Sequence, residues 1–160
     1  MLRFAILPFV ILASPAHAVC ALNQEVIFQC LDGAKTIELC LTPSDQNVTY
    51  RFGAASAPEI ELTRGFDEIE MVPWNGIGRS IWDQVTVSNG NFAYGLFWNY
   101  DKFDETASGG LQVTRGESVV ARRACTAEGI YNFDILRIAM QEAGYCRSDT
   151  NAPLTMGPCS

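Results

Sequence analysis

The chain has 160 residues, 48% of them hydrophobic, and carries 11 Lys and Arg against 18 Asp and Glu, a net charge of −7. That length suits one domain, and so acidic a surface repels nucleic acid and anionic lipid, which excludes both as electrostatic partners. Six cysteines stand at 20, 30, 40, 125, 146 and 159, and His17 is the single histidine.

The N-terminus places Arg3 before an apolar run, Phe4 to Ala13, followed by Ser14-Pro15-Ala16-His17-Ala18. A short basic head, an apolar core and an A-x-A site predict a signal peptide over residues 1–18 and a single β-rich domain over 19–160, beginning at Val19. The run is too short to span a bilayer, and His17-Ala18-Val19 is the wrong order for lipid attachment at Cys20. Removing Arg3 with the leader leaves ten Lys and Arg against eighteen Asp and Glu, a charge of −8, so an electrostatic partner is expected to be cationic. An even cysteine count in an exported chain reads as disulfides and a periplasmic or secreted location. No pair has C-x-x-C spacing and His17 leaves with the leader, so neither a metal nor a cofactor is expected.

After the leader, short alternating segments follow one another. Glu25 to Cys30 places Val26 and Phe28 on one side, Thr36 to Leu41 does the same with Ile37 and Leu39, and Asp32-Gly33 between them signals a two-residue hairpin. Val48, Tyr50 and Phe52 continue the period, then Ile60 and Leu62 alternate with Glu59, Glu61 and Thr63, as in half-buried antiparallel strands. A second hairpin is expected at Asn89-Gly90, with Val87 facing Phe92, Val85 facing Tyr94 and Ile81 facing Trp98. A third, at Arg115-Gly116, joins Leu111–Thr114 to Ser118–Ala124. From Asp134 to Ala143 the spacing becomes helical (Ile135, Leu136, Ile138, Ala139, Ala143), with Asn132 or Asp134 as N-cap and Gly144 as stop. Arg147 to Ser160 reads as a loop tied down by Cys159. The fold class is therefore mainly β, an antiparallel sandwich or flattened barrel of about eight strands with one short C-terminal helix.

Without histidine in residues 19–160, Ser-His-Asp, Cys-His and most zinc chemistry is closed. Carboxylates remain: Glu59, Glu61, Asp67, Glu68 and Glu70, with Glu59 and Glu61 about 7 Å apart on one strand face, the pairing a carboxylate-dependent hydrolase would use. Asp101, Asp104 and Glu105 offer oxygen ligands for calcium but lack the regular loop spacing. The candidate recognition loop is Pro73-Trp74-Asn75-Gly76-Ile77-Gly78-Arg79, where Trp74, Asn75 and Arg79 are the binding candidates; the competing structural role for Trp74 is to cap the sandwich.

Val26-Ile27-Phe28-Gln29-Cys30, Thr36 to Cys40, Val48-Thr49-Tyr50-Arg51-Phe52-Gly53 and Ile60-Glu61-Leu62 resemble the front half of a family of small exported proteobacterial proteins of unknown function. That likeness implies a location and a β fold, and no activity. More distantly, the chain is similar to periplasmic lysozyme inhibitors, whose loop carries Ser-Gly-x-Tyr; Ser108-Gly109-Gly110-Leu111 has leucine in place of the tyrosine.

These readings lead to a non-catalytic periplasmic binding or inhibitor protein of a cationic protein such as a lysozyme, with a carboxylate-dependent hydrolase or a structural envelope protein as alternatives. Facing across the first hairpin sets Cys40 opposite Glu25 and away from Cys30, so Cys30 and Cys40 are expected to bond elsewhere, to Cys20, Cys125, Cys146 or Cys159, cross-bracing the sheets and tying down the C-terminus.

Overall fold

Three glycines set the register of the fold. Gly33, Gly90 and Gly116 have φ of 62°, 59° and 56°, and each opens a two-residue loop between paired residues: Asp32 with Lys35, Asn89 with Phe92, Arg115 with Ser118. Ala34, Asn91 and Glu117, second in those loops, do not share the positive φ. A glycine first and an ordinary residue second is the II′ turn, whose twist matches the strands it joins.

In a computed structural model describing residues 20–126, 129–148 and 154–159, these turns connect two antiparallel meanders. The leader and Val19 lie outside the described residues. The first meander comprises β1 (Glu25–Asp32), β2 (Lys35–Thr42), β3 (Asn47–Ala54) and β4 (Ala57–Gly65). The second comprises β5 (Ile69–Val72), β6 (Ser80–Asn89), β7 (Phe92–Asp101), β8 (Thr106–Arg115) and β9 (Ser118–Ala124). Then β10 (Ile130–Tyr131) returns to the first sheet beside β1, α1 (Phe133–Glu142) follows, and β11 (Tyr145–Arg147) pairs with β12 (Met156–Pro158). The result is a disulfide-bonded β-sandwich with one helix near its C-terminus. The expected loop from Arg147 is instead partly the β11–β12 ribbon: three-residue strands are too short to show alternation.

The II′ geometry corrects the expected pairing. Val87 faces Tyr94, Val85 faces Leu96 and Asp83, not Ile81, faces Trp98. Each strand has slipped by one residue relative to an Asx-Gly loop, so partners move by two and inward side chains stay inward. On β1 a bulge at Ile27 breaks the alternation, so that Val26 pairs with Cys40 while Phe28 pairs with Leu39. Val26 and Phe28 thus lie on opposite faces, contrary to expectation, and Cys40 faces Val26 rather than Glu25.

The inner faces meet through Ile37, Leu39, Leu41, Val48 and Tyr50 of the first sheet and Met71, Val85, Val87, Leu96 and Leu111 of the second. Tyr50 and Tyr94 stack at 5.2 Å between ring centroids. The helix closes one side with Phe133, Leu136 and Met140, and Phe28 meets Phe133 edge-on at 6.0 Å. Asn132 stands at its N-cap, and Gly144, at φ 88°, ends it as expected. Ile138, expected on the buried face, is 48% exposed because the apolar stripe runs through Phe133, Leu136 and Met140.

Among the described residues the buried Tyr50 hydroxyl has no hydrogen-bond partner. An unpartnered buried polar group carries its desolvation cost uncompensated, so Tyr50→Phe is expected to raise stability by about 1 kcal/mol in urea denaturation. A loss of stability would show that the hydroxyl is satisfied.

The disulfides are Cys20–Cys40, Cys30–Cys125 and Cys146–Cys159. Cys30 and Cys40 do bond elsewhere, because Cys30 pairs with Ile37 on one face while Cys40 follows Leu39 onto the other. The cross-bracing is narrower than expected: Cys30–Cys125 joins β1 to the end of β9, whereas Cys159 is held locally by Cys146, 13 residues away.

Candidate functional site

The Trp74–Arg79 loop joins β5 to β6, and residues 102–105 join β7 to β8. Because Ser80 pairs with Asp101, the two loops emerge side by side. Arg79 links them. Its Nε donates to Asp101 Oδ2 and its Nη2 to Asp104 Oδ2. Asp101 Oδ1 in turn accepts the backbone N–H groups of Phe103 (2.9 Å) and Asp104 (3.1 Å), closing the second loop on itself. The Arg79 hydrogen bond is the main reason that the Asp101 carboxyl is held below its ordinary pKa. Asp101 and Asp104, weighed for calcium, thus have an arginine between them.

The first loop is braced from within. Asn75 Oδ1 accepts the Ile77 N–H at 3.0 Å, and Trp74 Nε1 donates to the Ile77 carbonyl at 3.1 Å. Gly76 and Gly78 supply the positive φ, 85° and 109°, that lets the chain wrap so tightly. Lys102 Nζ lies 5.3 Å from the Trp74 ring centroid. The structure therefore brings Trp74, Asn75 and Arg79 together, but as the frame of the loop. What the frame presents is Ile77, 77% exposed, and Phe103, 76% exposed with Arg79 5.4 Å from its ring. Sequence reading passed over both. An isoleucine between two glycines and a phenylalanine among Asp, Lys and Glu have no core to enter, and that was the available signal.

Behind Trp74 lies a groove of about 610 Å³ whose lining includes Trp98, Asp83, Asp134, Arg137 and Gln141. Asp83 forms its buried floor: Oδ1 accepts the Trp74 N–H at 3.1 Å and Oδ2 the Trp98 indole N–H at 2.8 Å. Burial raises the Asp83 pKa above its ordinary value, against the pull of the Trp98 and Trp74 donors. With both oxygens occupied, Asp83 anchors the Trp74 loop to the sheet. Asp134 is bound to Arg137 at 2.7 Å.

Three of the other candidate carboxylates are engaged too. Glu59 pairs with Lys35 at 2.8 Å, Glu61 with Arg51 at 3.0 Å, and Glu68 accepts the Gly65 N–H at 2.9 Å. Asp67 and Glu70 are exposed. Glu59 and Glu61 therefore face separate cations. Ser108–Leu111 lies within β8, not in a loop. Its glycines answer to packing, since a Cβ would come 2.5 Å from the Tyr131 ring at Gly109 and 2.3 Å from the Arg123 carbonyl at Gly110.

No family model matches the chain, and no curated protein or solved structure matches it with significance. The three described groups closest to a metal set, Cys20, Glu38 and Cys40, include both halves of a disulfide. Oxidised cysteines are not thiolate ligands.

Proposed function

We propose that the protein is an exported, non-catalytic binding protein, with the paired 73–79 and 102–105 loops as its recognition surface and a cationic protein such as a lysozyme as its partner. The observation that carries this reading is the Arg79 bridge to Asp101 and Asp104, which fixes two loops while leaving Ile77 and Phe103 bare. As surface ion pairs these contacts add little to stability. Their effect is to reduce the conformational freedom lost when a partner docks. Apolar tips ringed by charge suit a small hot spot, and the net charge of −8 expected after leader removal favours a basic partner.

The experiment is capture by the immobilised chain from cationic periplasmic and secreted proteins, with purified lysozymes included. Binding is expected to weaken at least about tenfold in Ile77→Ala/Phe103→Ala with the melting temperature unchanged, because neither side chain is in the core. Trp74→Ala is a poorer probe, since its half-buried ring lines the groove. Equal capture by the double variant, or no capture by the unaltered chain, would overturn the reading.

A further inference from the structure

The groove behind Trp74 is separate from the exposed loop tips, since neither Ile77 nor Phe103 lines it. At about 610 Å³ it falls within the roughly 300–1,000 Å³ of small-molecule sites. Its two indoles are held in place before any ligand arrives. Trp98 stacks on Tyr131 with ring centroids 6.3 Å apart, and Lys102 Nζ lies over the Trp74 ring at 5.3 Å. Both indole N–H groups are already donated, from Trp98 to Asp83 at 2.8 Å and from Trp74 to the Ile77 carbonyl at 3.1 Å. What the rings offer the groove is therefore carbon surface, beside Ile81 and Met156.

The helix supplies the polar wall. Asp134, Arg137 and Gln141, three and four residues apart, share one face of α1 and line the groove. Arg137 gives two hydrogen bonds to Asp134 Oδ1, at 2.7 and 3.2 Å, and one to Gln141 Oε1 at 3.3 Å. That network leaves Asp134 Oδ2 to accept and Gln141 Nε2 to donate, side by side.

Charge narrows the ligand. Asp83 and Asp134 line the groove with Arg137 and Arg147, two acids against two bases, so a free anion or cation meets repulsion as well as attraction. A neutral ligand has to bind through groups that both donate and accept, and has to turn an apolar face to the indoles. A sugar ring meets both demands, with hydroxyls at its rim and C–H bonds across its face.

We propose that this groove is a saccharide site. The C–H face of a neutral sugar ring lies against Trp74 and Trp98, and its hydroxyls bond to Asp134 Oδ2, Arg137 and Gln141 Nε2. Neither the loop tips nor a protein partner enters this assignment, so it stands or falls separately from the proposed function.

The test is NMR titration of protein carrying nitrogen-labelled tryptophan with cellotriose, maltotriose and the N-acetylglucosamine trimer. The Trp74 and Trp98 indole signals are expected to move with at least one of them, at a Kd of about 1 mM or tighter, while Trp82, outside the groove lining, stays in place. Arg137→Met/Gln141→Ala is expected to weaken that binding at least about tenfold. Its melting temperature should change little, because neither side chain belongs to the core and the Asp134–Arg137 pair is a surface one. No movement at millimolar saccharide, movement of Trp82 alone, or equal affinity in the double variant would overturn the site. Tighter binding of a galacturonic acid trimer than of any neutral probe would overturn the ligand class.

Discussion

Replacing Cys30 and Cys125 together with alanine is expected to lower stability by about 4–5 kcal/mol, enough to unfold much of the population at 37 °C. The bond spans 95 residues and joins β1 to the end of β9, so it closes a loop that holds β2 through β9. Loop-closure entropy removed from the unfolded chain grows with span, and the Cα atoms stand 5.6 Å apart, as a disulfide requires. Cys146–Cys159, at 13 residues, is expected to contribute about 3 kcal/mol. Urea denaturation of the two paired-alanine variants checks the order; a larger loss from the C-terminal bond would show that the sheets hold together without their cross-link.

The second large effect is expected at Asp83. Asp83→Ala leaves the Trp98 indole and Trp74 backbone N–H groups without acceptors, which should cost roughly 3 kcal/mol and loosen the Trp74 loop. Asp83→Asn keeps the shape but sets an amide N–H against one donor, and a smaller loss of about 1–2 kcal/mol is expected. Because burial raises the folded carboxyl above its ordinary 3.8, the unfolded chain releases this proton first as pH rises. The stability tied to protonation is thus present below that value and lost as pH climbs through the raised folded pKa. The wild-type advantage over Asp83→Asn should therefore narrow from acid toward neutral pH in a urea series. A gap that widens toward neutral pH would mean that the two N–H donors outweigh burial and hold Asp83 as an anion.

Much of the architecture was legible because it rests on short-range signals. Inward placement of Ile37, Leu39, Ile60 and Leu62, glycine at each hairpin, and the change of period at the helix read correctly, whereas Thr36–Leu41 is buried on both faces and not half-buried. The expected pairing across the second hairpin failed on one torsion. Asn89-Gly90 reads equally as both central residues of a turn or as the last strand residue and the first turn residue, and only the backbone decides. That choice places Asp83 instead of Ile81 under Trp98, which is why the anchor of the loop was missed. The Ile27 bulge has no sequence mark, since both of its neighbours are apolar. The Arg79 bridge was invisible for a different reason: Asp101 and Asp104 lie 22 and 25 residues away, and only hairpin pairing brings them to it. Trp74, Asn75 and Arg79 do come together in one loop, where their hydrogen bonds brace it.

The braced loops are where a partner is expected to sit. Amide hydrogen exchange on the protein alone and on its complex with a captured cationic partner tests this directly. Slowed exchange at Asn75–Arg79 and Lys102–Glu105 on binding, with the outer face of β9 unchanged, is the expected result. Unchanged exchange in both loops, with protection appearing elsewhere, would contradict it.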